Sequence, residues 1–125
     1  MSSKAEELEA RLRSLRSTIP DLEAAVVVSD EGLVLASAVP GSIDDEKVSA
    51  MGGAMLTLGD RITRELQRGT LEQVMVRGEN GYILLMPLGP RTDMMLAVMA
   101  RADAKLGWIM LESRRIAVEL SQMLA

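Results

Sequence analysis

The sequence contains no cysteine, no histidine and no phenylalanine among its 125 residues. The absence of cysteine excludes disulfides, thiolate nucleophiles and cysteine-based metal sites. The absence of histidine removes the usual general base, the commonest transition-metal ligand and the ordinary titrating group near neutral pH. The sequence therefore predicts a protein that is not an independent enzyme, because the usual nucleophile–base pairs are unavailable. No catalytic residue, cofactor or metal ion is predicted.

Aromatic residues are almost absent, since Trp108 and Tyr82 are the only two. The core must therefore be aliphatic, built from Val, Leu, Ile, Ala and the ten Met, whose flexible side chains fill irregular gaps. With 48% hydrophobic residues, the chain is expected to fold as one domain over residues 1–125. Trp108 lies early in the last predicted helix, where it is expected either in the core or at the rim of a contact.

Long basic tracts and long apolar runs are also missing. The formal net charge is −4, so sequence-independent binding to nucleic acid is not expected. No stretch approaches the length of a membrane span. The first residues are acidic and lack the apolar run of a signal peptide. These features together predict a cytoplasmic protein.

Apolar periodicity and turn residues predict three helices and five strands. Their order, α-β-β-α-β-β-β-α, indicates an α+β domain on a mainly antiparallel sheet. The segments Ser29–Gly32, Gly78–Gly81 and Gly89–Asp93 are predicted turns. The predicted helices are Ser3–Thr18, Asp44–Arg68 and Ala104–Leu124, and the predicted strands are Glu23–Ser29, Leu33–Val39, Leu71–Arg77, Tyr82–Leu88 and Met94–Ala100.

The long central helix has an unusual distribution of side chains. At about 100° per residue, its predicted core stripe comprises Val48, Gly52, Met55, Gly59, Ile62 and Leu66. The opposite face should be polar, but it is small and then basic, with Ala50, Gly53, Ala54, Thr57, Arg61, Arg64 and Arg68. Two mid-helix glycines cost about 1 kcal/mol each relative to Ala, which close approach of another backbone would offset. This face is a candidate dimer seam, a partner platform or both; the alternative is packing inside the same subunit, for example under the N-terminal helix.

Two neighbouring features allow two interpretations each. The arginine ridge either contacts an acidic or polar partner or is a solvated face with the pairs Asp60–Arg64 and Glu65–Arg68. The strand Leu71–Arg77 is either a lone edge protected by charge or pairs with its two-fold copy. The candidate residues of that dimer edge are Leu71, Gln73, Met75 and Arg77.

Two acidic or glycine-rich segments are interpreted as structural. Asp44, Asp45 and Glu46 are expected to cap a helix rather than bind a cation. The Gly78–Gly81 segment precedes a strand and lacks the ending of a phosphate loop, so it is predicted to be a hairpin turn.

Four stretches, taken in their order and spacing, resemble the roadblock/dynein light chain family over nearly the whole chain. They are Ala24–Ala36 (AAVVVSDEGLVLA), Gly59–Leu66, Val74–Leu85 with its central Gly-Glu-Asn-Gly-Tyr, and Leu96–Gly107. The resemblance implies a profilin-like fold: a five-stranded antiparallel sheet with the long helix on one face and both terminal helices on the other. Profilin-like and longin domains are structural relatives of this family.

The resemblance also implies a homodimer, in which the long helices of two subunits lie side by side and the Leu71–Arg77 strand pairs with its copy. Bacterial and archaeal members commonly act with small Ras-like GTPases, and the gliding-motility polarity regulators stimulate GTP hydrolysis by their partner. The expectation is a non-catalytic scaffold that holds the GTPase switch regions against the paired helices. An arginine-finger role is not expected, because the ridge lies on a rigid helix.

One departure from the family concerns the C-terminus. Some GTPase-regulating relatives carry a further tail that contacts the partner, whereas this chain ends with its last helix at Ala125. This departure weakens the expectation of GTPase activation more than it weakens the expectation of dimerisation or of GTPase binding. Two other functions remain open: a structural assembly subunit without a GTPase, and a ligand-sensing module, which would need a polar-lined pocket.

Overall fold

The computed structural model describes residues 3–29, 32–89 and 91–124. Within these residues the chain forms three helices and five strands in the predicted order. Asp30, Glu31 and Pro90, which belong to predicted turns, lie outside the described residues. The elements are α1 (Lys4–Thr18), β1 (Leu22–Val28), β2 (Val34–Ala38), α2 (Asp45–Glu65), β3 (Val74–Gly78), β4 (Gly81–Leu88), β5 (Arg91–Arg101) and α3 (Leu106–Leu124).

The strands form one antiparallel sheet in the order β2-β1-β5-β4-β3, which confirms the predicted fold class. β1 and β5 are interior strands, with Val26 opposite Ala97. Side chains of β1 alternate between the two faces, since Val27 packs with the terminal helices and Val26 with α2. β1 is therefore buried on both faces of the sheet from Ala24 to Val28.

The helices cover the two faces of the sheet as predicted. Leu8 and Leu12 of α1 and Ile109 and Leu120 of α3 belong to one core cluster with the sheet. On the opposite face, α2 contributes Leu56 to a second, smaller cluster. The sheet thus separates α2 from both terminal helices, which determines which surfaces of the chain can act independently.

The first two helices each begin at a side-chain cap. The Ser3 hydroxyl accepts a hydrogen bond from the Glu6 N–H at 3.1 Å. The Asp44 carboxylate accepts from the N–H groups of Glu46 and Lys47 at 3.0 and 3.4 Å. These bonds satisfy donors that a helix leaves unpaired at its N-terminus. The interpretation of the Asp44 cluster as a helix start is confirmed.

Three predicted boundaries are wrong by three residues each, and α3 begins at Leu106 rather than Ala104. α2 ends at Glu65 rather than Arg68, because Gln67 adopts a left-handed conformation (φ 56°) and turns the chain away. β3 begins at Val74 rather than Leu71, since residues 71–73 are irregular and Leu71 packs into the α2-side cluster. β5 begins at Arg91 rather than Met94, and Arg91, predicted as part of a turn, pairs with Leu88 of β4.

Tyr82 provides a test of the core next to α3. Its side chain is buried, and its hydroxyl has no hydrogen-bond partner among the described residues. Burial raises the pKa of the phenol, Arg77 opposes this and Asp21 adds to it. The folded state therefore favours the neutral phenol. Its contribution to the free energy of unfolding is fully present below the unfolded pKa of about 10 and is lost as pH rises through the higher folded pKa.

We expect Tyr82→Phe to leave the free energy of unfolding at pH 8 unchanged or to raise it by up to about 1 kcal/mol, because it removes an unpaired buried hydroxyl. Above pH 10, the free energy of unfolding of the variant should fall less than that of the parent chain, because the variant has no phenol to ionise at this position. Urea unfolding at pH 8 and above pH 10 measures both effects. A loss of stability at pH 8 would instead show that the hydroxyl makes a stabilising bond.

Candidate interaction surface on the long helix

The side of α2 that faces the sheet is built mainly from small residues. Ser49 and Gly52 are buried together with Leu56, which is 1% exposed. A Cβ atom on Gly52 would lie 2.5 Å from the Met95 Cε, so the missing side chain allows the helix to approach the sheet closely. The Ser49 hydroxyl donates a hydrogen bond to the Gly32 carbonyl at 2.8 Å and ties the helix to the β1–β2 connection.

The predicted core stripe of α2 is wrong for its largest members. Met55, Ile62 and Leu66 are 38%, 50% and 63% exposed. Gly52 is buried, and Val48 and Gly59 are half-buried, so only the small or N-terminal members face the sheet. The helix is rotated about its axis relative to the prediction, with Ser49 and Leu56 at its contact with the sheet.

As a result, α2 presents a row of large apolar side chains to solvent. Successive members are spaced by four, three, four and four residues, which places them on one side of the helix. Single exposed apolar residues are ordinary, whereas a contiguous apolar surface marks an interaction site. We call this row the α2 apolar stripe; it comprises Met51, Met55, Leu58 and Ile62 of α2 and Leu66, which directly follows the helix.

The α2 apolar stripe continues into a groove beside the helix. The groove has a volume of about 650 Å³ and lies between Met51 and Met55 of α2 and Val76, Ile83 and Met99 of the sheet. Val76 belongs to β3 and is 41% exposed, so apolar surface extends from the helix to the edge strand. Flexible Met side chains suit a surface that must adapt to an incoming partner.

The small residues predicted as an interface lie on another side of α2. Ala50, Ala54 and Thr57 are exposed, and Gly53 is half-buried with open space where a Cβ atom would lie. The alternative that α1 covers this face is wrong, because α1 packs on the opposite face of the sheet. The Thr57 hydroxyl donates to the Gly53 carbonyl at 3.0 Å within the same helix.

The arginine ridge is exposed and partly engaged in pairs along the helix. Arg64 bonds Asp60 at 3.0 Å, which confirms one predicted pair. The predicted Glu65–Arg68 pair is wrong, since Glu65 accepts from Arg61 at 3.1 Å and Arg68 lies beyond the end of the helix. Exposed pairs of this kind contribute only about 0.3–0.5 kcal/mol, so both guanidinium groups are available to a partner.

The edge strand contributes only part of the predicted dimer edge. Met75 and Arg77 are exposed residues of β3, which pairs with β4 on one side and is the last strand of the sheet. Leu71 instead packs into the α2-side cluster. Gln73 precedes the strand, and its side-chain amide lies 4.0 Å from the Met110 sulfur of α3.

Sequence reasoning missed Met51, Leu58 and Val76 as surface residues. Their apolar character was visible, but a helix with apolar residues on two adjacent sides does not reveal which side is buried. Across the described ranges, acidic residues nowhere gather into a group of three that could hold a metal ion. A helix long and apolar enough to cross a membrane is likewise missing from those ranges.

Comparisons with known proteins agree with this architecture. The family model for the Roadblock/LC7 domain matches residues 8–100. The Methanocaldococcus jannaschii protein MJ1340 is 37% identical over 102 residues, which cover 82% of this chain and 87% of that protein. Among solved structures, Myxococcus xanthus MglB is similar with a TM-score of 0.86 and 14% identity, covering 99% of this chain and 92% of MglB. A structure of MglB with tetrameric arrangement has a TM-score of 0.83 and 15% identity, and the match covers 98% of this chain and 91% of that chain. This chain belongs to the Roadblock/LC7 domain family.

Proposed function

We propose that this chain is a non-catalytic homodimeric scaffold that binds a small Ras-like GTPase and modulates its GTP hydrolysis. The observation that carries the proposal is the α2 apolar stripe, which is continuous with the exposed edge strand β3. The similarity of the fold to MglB supports a regulatory scaffold, and the tetrameric arrangement of one MglB structure supports self-association.

The occupant of the α2 apolar stripe in this proposal is a second copy of the chain. A two-fold axis brings the same patch of both subunits together, so a stripe that is apolar along its whole length is complementary to itself. The same axis aligns the two β3 edges antiparallel, which satisfies backbone groups that an edge strand leaves unpaired. Met51 and Met55 adapt their side chains to the facing helix.

The GTPase occupies the small and basic face of α2, which stays outside the stripe in this arrangement. Ala50, Gly53, Ala54 and Thr57 allow close approach of the switch regions along the paired helices. Arg61, Arg64 and Arg68 are the cations beside them and suit an acidic or polar partner surface. Any effect on hydrolysis comes from ordering the catalytic residues of the GTPase itself.

The test is a titration of the chain with candidate Ras-like GTPases loaded with a GTP analogue or with GDP. The proposal expects tighter binding of the GTP form, because the switch regions change conformation with the nucleotide. Equal affinity for both forms would contradict a regulatory role. It would instead favour a structural assembly subunit, for which the self-complementary stripe alone is sufficient.

We expect Gly53→Arg to weaken binding of the GTPase at least about tenfold, since a long side chain would clash with a partner that approaches the small residues closely. The fold should survive because open space surrounds the position of the new Cβ atom. Calorimetric titration measures the affinity, and circular dichroism checks the fold. Lys47→Arg is the matched control, because it keeps the charge of an exposed α2 residue. Unchanged GTPase affinity of Gly53→Arg would show that this face is not the platform.

A further inference from the structure

The outward face of α3 exposes the only tryptophan of the chain. Trp108 is 39% exposed, and Leu111 and Val118 on the same side are 55% and 60% exposed. The residues of α3 that face the sheet are instead Ile109, Ser113, Ile116 and Leu120. A chain with so few aromatic residues would bury its tryptophan if only its own stability were concerned.

The exposed residues follow the spacing of a helix-pairing seam. Trp108, Leu111, Arg115, Val118 and Gln122 alternate by three and four residues, which is the pattern of the a and d positions of a heptad. All five are exposed. This seam lies on the opposite face of the sheet from α2, so it is independent of the proposed dimer and GTPase surfaces.

The charges beside the seam favour an acidic partner. Arg115 lies within the seam and pairs with Glu112 at 3.1 Å in an exposed contact. Arg114 has no ion pair within the part of the chain that the structure describes. The remaining acid of this face, Glu119, pairs with Arg11 of α1. The face therefore presents an available cation on a chain whose net charge is −4.

We propose that the outward face of α3 binds an amphipathic α-helix of another protein that carries an acidic residue opposite Arg115. Trp108 and Arg115 are the residue types that dominate binding energy at interfaces. A second copy of α3, paired in parallel about a two-fold axis, would place two Arg115 guanidinium groups against each other. A charge at an a position thus selects for a partner of opposite charge.

Two designed helical peptides without tryptophan test the proposal on the full chain. Both have the same leucine seam; one carries glutamate and the other lysine at the positions facing Arg115 and Arg114. Trp108 fluorescence reports binding directly because the chain has no other tryptophan. We expect the glutamate peptide to bind at least about tenfold more tightly than the lysine peptide, and the difference to shrink as salt rises.

Substitutions on α3, compared with one at an exposed residue elsewhere, test whether the peptide binds this surface. Arg115→Glu should reverse the peptide preference, Arg115→Gln should remove it, and Val118→Glu should abolish binding of both peptides. Leu33→Glu is the matched control, because Leu33 is 59% exposed and lies outside both the seam and the α2 apolar stripe, and it should leave peptide binding unchanged. Thermal unfolding followed by circular dichroism checks that each variant is folded.

Several results would overturn the proposal. They are failure of either peptide to shift Trp108 fluorescence, equal affinity for both peptides, and an unchanged preference in Arg115→Glu. A halved molar mass of Val118→Glu in light scattering would also overturn it, because a second copy would then occupy the seam. None of these results depends on the GTPase titration, so the two proposals fail separately.

Discussion

Gly81→Ala is expected to lower the free energy of unfolding by about 2–4 kcal/mol. Gly81 has φ +149°, a conformation that residues with a side chain rarely adopt. A Cβ atom there would lie 2.4 Å from the carbonyl oxygen of Ala100, which belongs to the backbone of the interior strand β5. Relief of this contact would displace β5 or break the adjacent pair Tyr82–Ala100.

Gly78→Ala is the matched control in the same hairpin. Its Cβ atom would lie 3.5 Å from the Gly81 carbonyl oxygen, an ordinary contact, so we expect a change within about 0.5 kcal/mol. Urea unfolding of both variants measures the difference. Equal losses at the two positions would show that the hairpin tolerates a side chain at Gly81 and that the close approach to β5 does not limit stability.

Ile62→Glu is expected to convert the proposed dimer into a monomer. Ile62 lies within the α2 apolar stripe and is 50% exposed in the single chain, so the substitution should leave the subunit folded. In the dimer the new carboxylate would be buried without a partner, at a cost of about 3–5 kcal/mol. That cost raises the dissociation constant at least about 100-fold.

Light scattering distinguishes the two states, since the monomer has a mass of 13.5 kDa. Leu33→Glu is the matched control, because Leu33 is another exposed leucine-sized position, 59% exposed and outside the stripe. We expect that variant to keep the mass of the parent chain. A parent chain that is monomeric at micromolar concentration would contradict the homodimer, whatever the variants do.

The element order, the sheet and its two helical layers could be predicted because each depends on local patterns. β1 is apolar from Ala24 to Val28, and the Asn-Gly pair before Tyr82 specifies a hairpin. The resemblance to a known family then placed the helices on their faces. The hydrophobic pattern, the turn residues and the helix caps all favour the same fold, which is why this fold can be predicted from the sequence.

The orientation of α2 could not be predicted, for a reason that its residues explain. The helix buries Ser49 and Gly52 and leaves Met55 and Ile62 in solvent, whereas hydrophobicity alone favours the reverse. The helix packs closely on the sheet because Gly52 has no side chain. A hydrophobic pattern records which residues are apolar and does not record how large they are. An apolar helix side reserved for another protein looks the same in sequence as a side reserved for the core.

The segment after α2 was unpredictable for a different reason. The alternation of Leu71, Val74 and Val76 suggested one continuous strand, but Leu71 packs under Gly59, where a Cβ atom would be 3.3 Å away. The change of direction occurs at Gln67, a non-glycine residue with positive φ that no local pattern announces. Tertiary contacts therefore decided where β3 begins.

The neighbour relationship of β1 and β5 has a consequence for how the chain acquires its fold. Val26 pairs with Ala97, 71 positions later in the chain, whereas β1 with β2 and β3 with β4 are local hairpins. Long-range pairs form slowly, because a large loop must close before they contribute stability. During synthesis from the N-terminus, β1 therefore lacks its second neighbour until β5 has emerged from the ribosome. Until then its apolar edge is open to aggregation, so we expect chains truncated before β5 to aggregate rather than fold.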